Sequence, residues 1–239
     1  MALQVFSWRP SITNPAVFNT DPTMFKLDMY TALDKLKGMM VAGTVSNPYV
    51  INMSIASDQV FLSECTSKSP LIVPLVQTLF DLGVPIIAAT GNGSSRVAIS
   101  WPACLPYVVK VSAVLNTYPS TAFAAYANLA PQSKFPGQAM FLAPGGWNNT
   151  PFSGVRSSAP SETSTTNAYR DWGTSFAAPH VAGFYAALKA VDPAFPINAL
   201  SDFIRNTASA SVLVNLCVGQ DPPTDCAFPF KLPRWTLVP

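Results

Sequence analysis

The segment GTSFAAPHVAGFYAALKA, Gly173–Ala190, carries only two ionisable side chains, His180 and Lys189. A run this apolar nearly all round reads as a helix buried in the middle of a domain. Pro179 is compatible with that helix if the first turn starts near Ser175, where a missing N–H costs little. Burying such a helix requires a sheet and further helices, and the sequence before it supplies both.

Working outward, short β-branched runs alternate with amphipathic stretches, the pattern of βαβ units around a parallel sheet. Leu3–Phe6 is a strand candidate. Asp21–Lys37 places Phe25, Met29, Leu33 and Leu36 on one helix face, with Gly38 as the stop. Tyr49–Ile55 reads as a buried strand. Pro70–Leu82 places Ile72, Leu75, Val76 and Leu79 at helical spacing, with Gly83 as its stop. Pro85–Ala89, Tyr107–Val114 and Gln138–Leu142 follow as strands, each bounded by Pro, Gly or Asn. The Ser-, Thr- and Pro-rich stretch Asn148–Ala168 reads as an exposed loop. Beyond the apolar helix, Ile197–Thr207 is a last amphipathic helix, and the tail past Ser211 is expected to wrap the surface. The predicted fold class is therefore α/β, three-layered, with a mostly parallel central sheet and helices on both faces. Residues 1–210 form the domain and residues 211–239 a tail with a Cys loop.

Composition agrees with one sizeable core: apolar residues make up 49% of the 239 and charged residues 11%. A net charge of +2 from 14 basic and 12 acidic residues offers no basic stripe for a nucleic-acid backbone. The apolar runs, such as Leu71–Phe80, are too short to cross a membrane. The first residues, MALQVFSWRP, show no basic leader, long apolar run or small-residue cleavage site. Four cysteines, Cys65, Cys104, Cys217 and Cys226, permit three pairings. The last two flank VGQDPPTD, whose Pro and Asp content favours turning back into a bridge, with two free thiols as the alternative. No CxxC pair marks a zinc site, so no metal is expected.

Three places carry candidate chemistry. Ser175, at the start of the buried helix, sets its hydroxyl beside unpaired backbone N–H groups and the positive end of the helix dipole, which suits an oxyanion forming nearby. An ordinary N-cap is the alternative. Asn92, in the text ATGNG after strand Pro85–Ala89, lies at the carboxyl end of a parallel strand, where open α/β sheets place ligands. Its amide can donate to a developing negative charge, and a plain Gly-Asn-Gly turn is the alternative. Ser54, Ile55 and Ala56 close the strand Tyr49–Ile55 with side chains that leave room for an extended peptide alongside.

The string GTSFAAPHVAG, Gly173–Gly183, closely resembles the nucleophile signature of the subtilisin-like serine peptidases. VINMSIAS at Val50–Ser57, IIAATGNGSS at Ile86–Ser95 with WPACLPYVVKVSAV after it, and FLAPGG at Phe141–Gly146 follow the family's order, so the resemblance covers roughly Leu3–Ala208. It implies a subtilisin-like fold truncated at its amino terminus. It makes Ser175 the nucleophile and Asn92 the side-chain donor of the oxyanion hole, with the Ser175 N–H as the second donor. Ser54, Ile55 and Ala56 match the strand that pairs with a polypeptide substrate, Ala56 standing where the family commonly has Gly. The resemblance pairs Cys65 with Cys104, hence an oxidising, extracellular setting. Calcium enters through the resemblance alone, since no carboxylate cluster marks a site, and no other cofactor is implied.

The same resemblance exposes a gap. His180, the only histidine, matches a structural residue of the family, and five positions from Ser175 it does not share a helix face with it. The family's base lies in an HGT-type motif and its acid in D-[ST]-G, and neither text occurs here. The Glu and Asp of sedolisin-like relatives find no counterpart, because the only glutamates are Glu64 and Glu162 in unrelated text. The expectation is a serine endopeptidase whose activity needs the missing amino-terminal segment or another chain. A pseudopeptidase that binds peptides and a truncated gene remnant are the alternatives.

Overall fold

The computed structural model describes residues 22–45, 50–115, 123–147, 154–158, 168–207, 210–215 and 227–232. At its centre is a four-stranded sheet of β1 (Ile51–Met53), β3 (Ile86–Ala89), β5 (Val108–Val114) and β6 (Met140–Pro144), in spatial order β1-β3-β5-β6. All three pairings are parallel, with Ile51 opposite Ile86, Ile87 opposite Val109, and Val111 opposite Phe141. Every residue of β3 and β5 is buried, as expected of parallel strands covered on both faces. A short antiparallel pair, β2 (Val60–Phe61) with β4 (Ile99–Ser100), lies outside this sheet.

Alternation along the strands sorts the core into two layers. One face sends Ile86, Ala88, Val108 and Leu142 toward α2 (Ile72–Asp81) and α1 (Pro22–Val41), where Ile72, Val76, Leu79, Met29 and Leu33 are buried. The other sends Ile87, Val109, Val111 and Phe141 toward α3 (Thr174–Val191) and α4 (Ile197–Thr207), meeting Ala177, Ala178, Val181, Tyr185, Ile197 and Leu200. The result is the three-layer α/β arrangement read from the sequence. The four buried side chains of α2 are Ile72, Leu75, Val76 and Leu79. Each contributes roughly 1.5–3 kcal/mol of apolar burial, so one charge on this stripe would detach the helix.

Helix α1 departs from its expected end, because it runs through Gly38 and stops near Gly43, which has φ +66°. There the Thr44 N–H donates to Met39 O and the Gly43 N–H to Met40 O, each at 3.0 Å. That reciprocal pair satisfies the last carbonyls and needs a left-handed residue between them. Gly38 has open space around it and costs the helix interior only about 1 kcal/mol relative to Ala, which is too little to end it. Gly83 closes α2 in the same way, with Val84 donating to Leu79 and Gly83 to Phe80.

Four further expectations need correction. Tyr49–Ile55 shrinks to a three-residue strand with Asn52 exposed, because among the described residues β1 pairs with β3 alone. The stretch read as a loop holds β7 (Val155–Ser158), antiparallel to β8 (Ala168–Asp171). The tail carries β9 (Ala210–Asn215) paired antiparallel with β10 (Ala227–Leu232), beside β6. Helix α3 is not buried all round: Pro179, Gly183, Ala187 and Ala190 form an exposed row on one side. Leu3–Phe6 and the Cys217 and Cys226 pair lie outside the described residues.

Two lysines are buried in this core and satisfied by backbone. Lys110 of β5 donates to Val108 O at 2.8 Å. Lys189 of α3 donates to Pro193 O and Phe195 O at 2.9 and 2.8 Å, tying the α3–α4 connection to the helix.

Candidate active site

The site is assembled at the amino end of α3. Gly173, just before the helix, has φ +144° and no side chain with which to cap it. The cap comes instead from the loop after β3: Asn92 Oδ1 accepts the Thr174 N–H and the Thr174 hydroxyl, each at 2.9 Å. A backbone N–H can only donate, so this bond fixes which end of the Asn92 amide faces the helix. The amide nitrogen Nδ2 is left on the other side, with no partner among the described residues. The Thr174 hydroxyl in turn accepts the Gly91 N–H at 3.1 Å, so donor and acceptor are both used.

Gly173 marks where the two functional groups meet. A β-carbon built on it would stand 3.1 Å from Asn92 Nδ2 and 3.1 Å from Ser175 Oγ. Any side chain there would fill the space between the amide and the hydroxyl. The Ser175 N–H belongs to the first turn and has no intrahelical acceptor. Two hydrogen-bond donors, the Asn92 amide and the Ser175 N–H, thus flank one hydroxyl at the positive end of a long helix. This set can stabilise an oxyanion formed when that hydroxyl adds to a carbonyl.

Proline 179 adds a constraint. It is the sixth residue of α3, beyond the first turn where the sequence reading placed its tolerance. Its missing N–H leaves the Ser175 carbonyl without a helical donor. Ser54 supplies one, its hydroxyl donating to Ser175 O at 2.7 Å and accepting from Asn52 Nδ2 at 2.9 Å. The end of β1 is thereby fastened to the turn bearing Ser175. Ile55 and Ala56 come next, half-buried and exposed, and no hydrogen bond engages their backbone among the described residues.

His180 is held to its own helix, where its Nδ1–H donates to Phe176 O at 2.7 Å. Cys65 and Cys104 form a disulfide across 39 residues, tying the segment before α2 to the turn after β4. Behind Gly173, the Gly145 carbonyl accepts the Gly173 N–H at 2.8 Å. The same carbonyl accepts the Tyr126 hydroxyl at 2.7 Å, and Gly146 O accepts it at 2.9 Å. Burial raises the Tyr126 phenol well above its ordinary range, so it stays a donor. The sequence gives no role to Thr174 or Gly145, which lie within GTSFAAPHVAG and FLAPGG, and does not mark Tyr126 at all. Thr174 was legible as a polar residue opening an apolar helix, whereas the other two act through folded proximity alone. Among the described residues no group of three or more His, Cys, Asp or Glu could hold a metal ion, and no helix is long and apolar enough to cross a membrane.

The sequence profile of the subtilase family matches residues 21–225. A thermostable alkaline protease of Halalkalibacterium halodurans is 29% identical over 164 residues, which make up 69% of this chain and 37% of that protein. Sphericase superposes with a TM-score of 0.62 at 24% identity, covering 88% of this chain and 64% of its own. A protease of Pseudoalteromonas arctica does so with 0.59 at 26% identity, covering 77% and 52%. The chain thus spans between 37% and 64% of these relatives' lengths.

Proposed function

Because the chain belongs to the subtilase family, we propose that it is the nucleophile-bearing portion of a serine endopeptidase acting on polypeptides. In this reading an extended substrate lies along Ser54, Ile55 and Ala56, where the backbone of the last two is open for strand-like pairing. Ser175 Oγ adds to the scissile carbonyl and its proton passes to a general base. The oxyanion is received by the Asn92 amide and the Ser175 N–H. The intermediate collapses to an acyl-enzyme as the leaving amine takes the proton, and water completes hydrolysis. The observation that carries this reading is the Asn92 side chain held by Thr174, which leaves its donor beside the Ser175 hydroxyl.

The base and its orienting acid come from outside these 239 residues. The only histidine, His180, stands five positions from Ser175 on the same helix and so does not share its face, and no D-[ST]-G or HGT text is present. The exposed row of small residues on α3 and strand β1, which among the described residues pairs with β3 alone, suit a segment packing there, in cis or from another chain. The disulfide supports an oxidising, extracellular setting.

The test is to supply a segment bearing both motifs, in cis or in trans, and to follow peptide hydrolysis. Hydrolysis that disappears in Ser175→Ala is expected, and none with any such segment would refute the reading. A peptide-binding module without catalysis is the second reading, favoured by the missing base. Peptide binding by the chain alone, unchanged in Ser175→Ala and without hydrolysis in any assembly, would establish it instead.

A further inference from the structure

We infer that Asn128 is a positioning residue for the oxyanion donor, holding the loop that carries Asn92 from behind. The inference rests on the role given to Asn92 above. Asn128 is 1% exposed, and every hydrogen-bonding group it has is engaged. Its N–H donates to Gly91 O at 2.8 Å. Its Nδ2 donates to Thr90 O at 3.1 Å and to Ser100 Oγ at 3.3 Å. Its Oδ1 accepts the Ser95 N–H at 3.0 Å. Its carbonyl accepts the hydroxyls of Thr90 and Ser112, each at 2.7 Å.

One side chain therefore grips both flanks of Asn92: Thr90 before it, Ser95 and Ser100 after it. Asn92 itself is exposed and makes no bond within its own loop. The loop is also shaped to the amide plane of Asn128. A β-carbon on Gly91, where φ is +99°, would stand 2.6 Å from Asn128 Nδ2, and one on Gly93 would stand 3.3 Å from Asn128 Oδ1. Ser112, fully buried on β5, anchors the Asn128 carbonyl to the sheet. The chain of support runs from the sheet through Asn128 to the loop and ends at the Asn92 donor. Thr174 fixes the amide's rotation, while Asn128 fixes where its backbone stands. Oxyanion stabilisation depends on donors held in place before the reaction, so loosening this support lowers turnover and leaves substrate affinity alone.

Asn128→Asp keeps the shape and the acceptor for Ser95 but sets an oxygen against Thr90 O. In the full chain, 15N relaxation of the Asn92 side-chain amide should change from ordered to mobile, while signals around Cys65 and Cys104 stay in place. With the base-bearing segment supplied, kcat should fall about ten- to a hundredfold with KM within about twofold. In an Asn92→Ala background the same substitution should cost nothing further, because its effect passes through Asn92. If Asn128→Asp does not fold, Ser100→Ala removes one acceptor of the same amide and should move both readouts less, in the same direction. An Asn92 amide that stays ordered, or losses that multiply in the double variant, would overturn the inference. If the wild-type assembly hydrolyses nothing, the peptidase reading fails, and the relaxation measurement still decides the positioning.

Discussion

Asn92 Oδ1 caps Thr174, the proposed function gives its Nδ2 to the oxyanion, and the two ends can be separated. Asn92→Ala should slow turnover about a hundred- to a thousandfold with little change in KM, a range known from a subtilisin rather than derived from this geometry. It should also destabilise the fold by about 1 kcal/mol, because the Thr174 N–H loses its cap. Asn92→Asp keeps that acceptor and adds negative charge at a helix amino end, so urea denaturation should show the stability recovered while turnover stays low. Ser54→Ala leaves the Ser175 carbonyl without a donor and should cost about 1–3 kcal/mol in the same assay. Ser175 stands out as a nucleophile candidate in the sequence through the resemblance of Gly173–Gly183 to the family's signature, since its place at the start of an apolar helix fits an ordinary N-cap equally. The service of Ser54 to that helix does not stand out, because the two residues stand 121 positions apart and the need arises from Pro179.

At the scale of elements, the disulfide joins segments that flank α2 and β3. Closing a loop of this span removes unfolded-state entropy worth about 4 kcal/mol by the chain-entropy estimate. Reduction, or Cys65→Ser with Cys104→Ser, should lower the thermal midpoint by more than any surface substitution, as calorimetry can check. Helices α2 and α4 match their expected spans closely because helical spacing and a bounding Gly or Pro mark them. Helix α1 outran its expected end because a glycine stops a helix only where the chain turns left-handed after it, which Gly38 does not do. The β7–β8 pair leaves no such mark. Val155–Ser158 and Ala168–Asp171 lack the alternation that a half-buried strand writes into its sequence, so they read as loop. The apolar text of Tyr49–Ile55 resembles a longer central strand, whereas β1 pairs with β3 alone among the described residues, a property of topology.

For the molecule as a whole, the buried lysine of β5 sets a pH dependence. Burial lowers the Lys110 ammonium from 10.5 to about 7, only partly offset by Glu64. Between pH 7 and 10.5 the unfolded chain keeps a proton that the folded chain has released, so stability rises with pH across that window. Below pH 7 both forms are charged and the full cost of burial is present. Urea midpoints should climb from pH 7 to 10, and Lys110→Met should raise the midpoint at pH 6 and flatten the climb. The charge, composition and parallel-sheet text were enough to read the three layers. What the sequence could not place is the juxtaposition of α3, the Asn92 loop and the end of β1, which meet only in three dimensions. That meeting is tested most directly by treating the chain with a fluorophosphonate, alone and with a segment carrying HGT-type and D-[ST]-G motifs, and locating the adduct by mass spectrometry. A single adduct on Ser175, formed only with the segment and lost in Ser175→Ala, is the expected result. An adduct elsewhere, or none on Ser175 in an assembly that hydrolyses peptides, would contradict it.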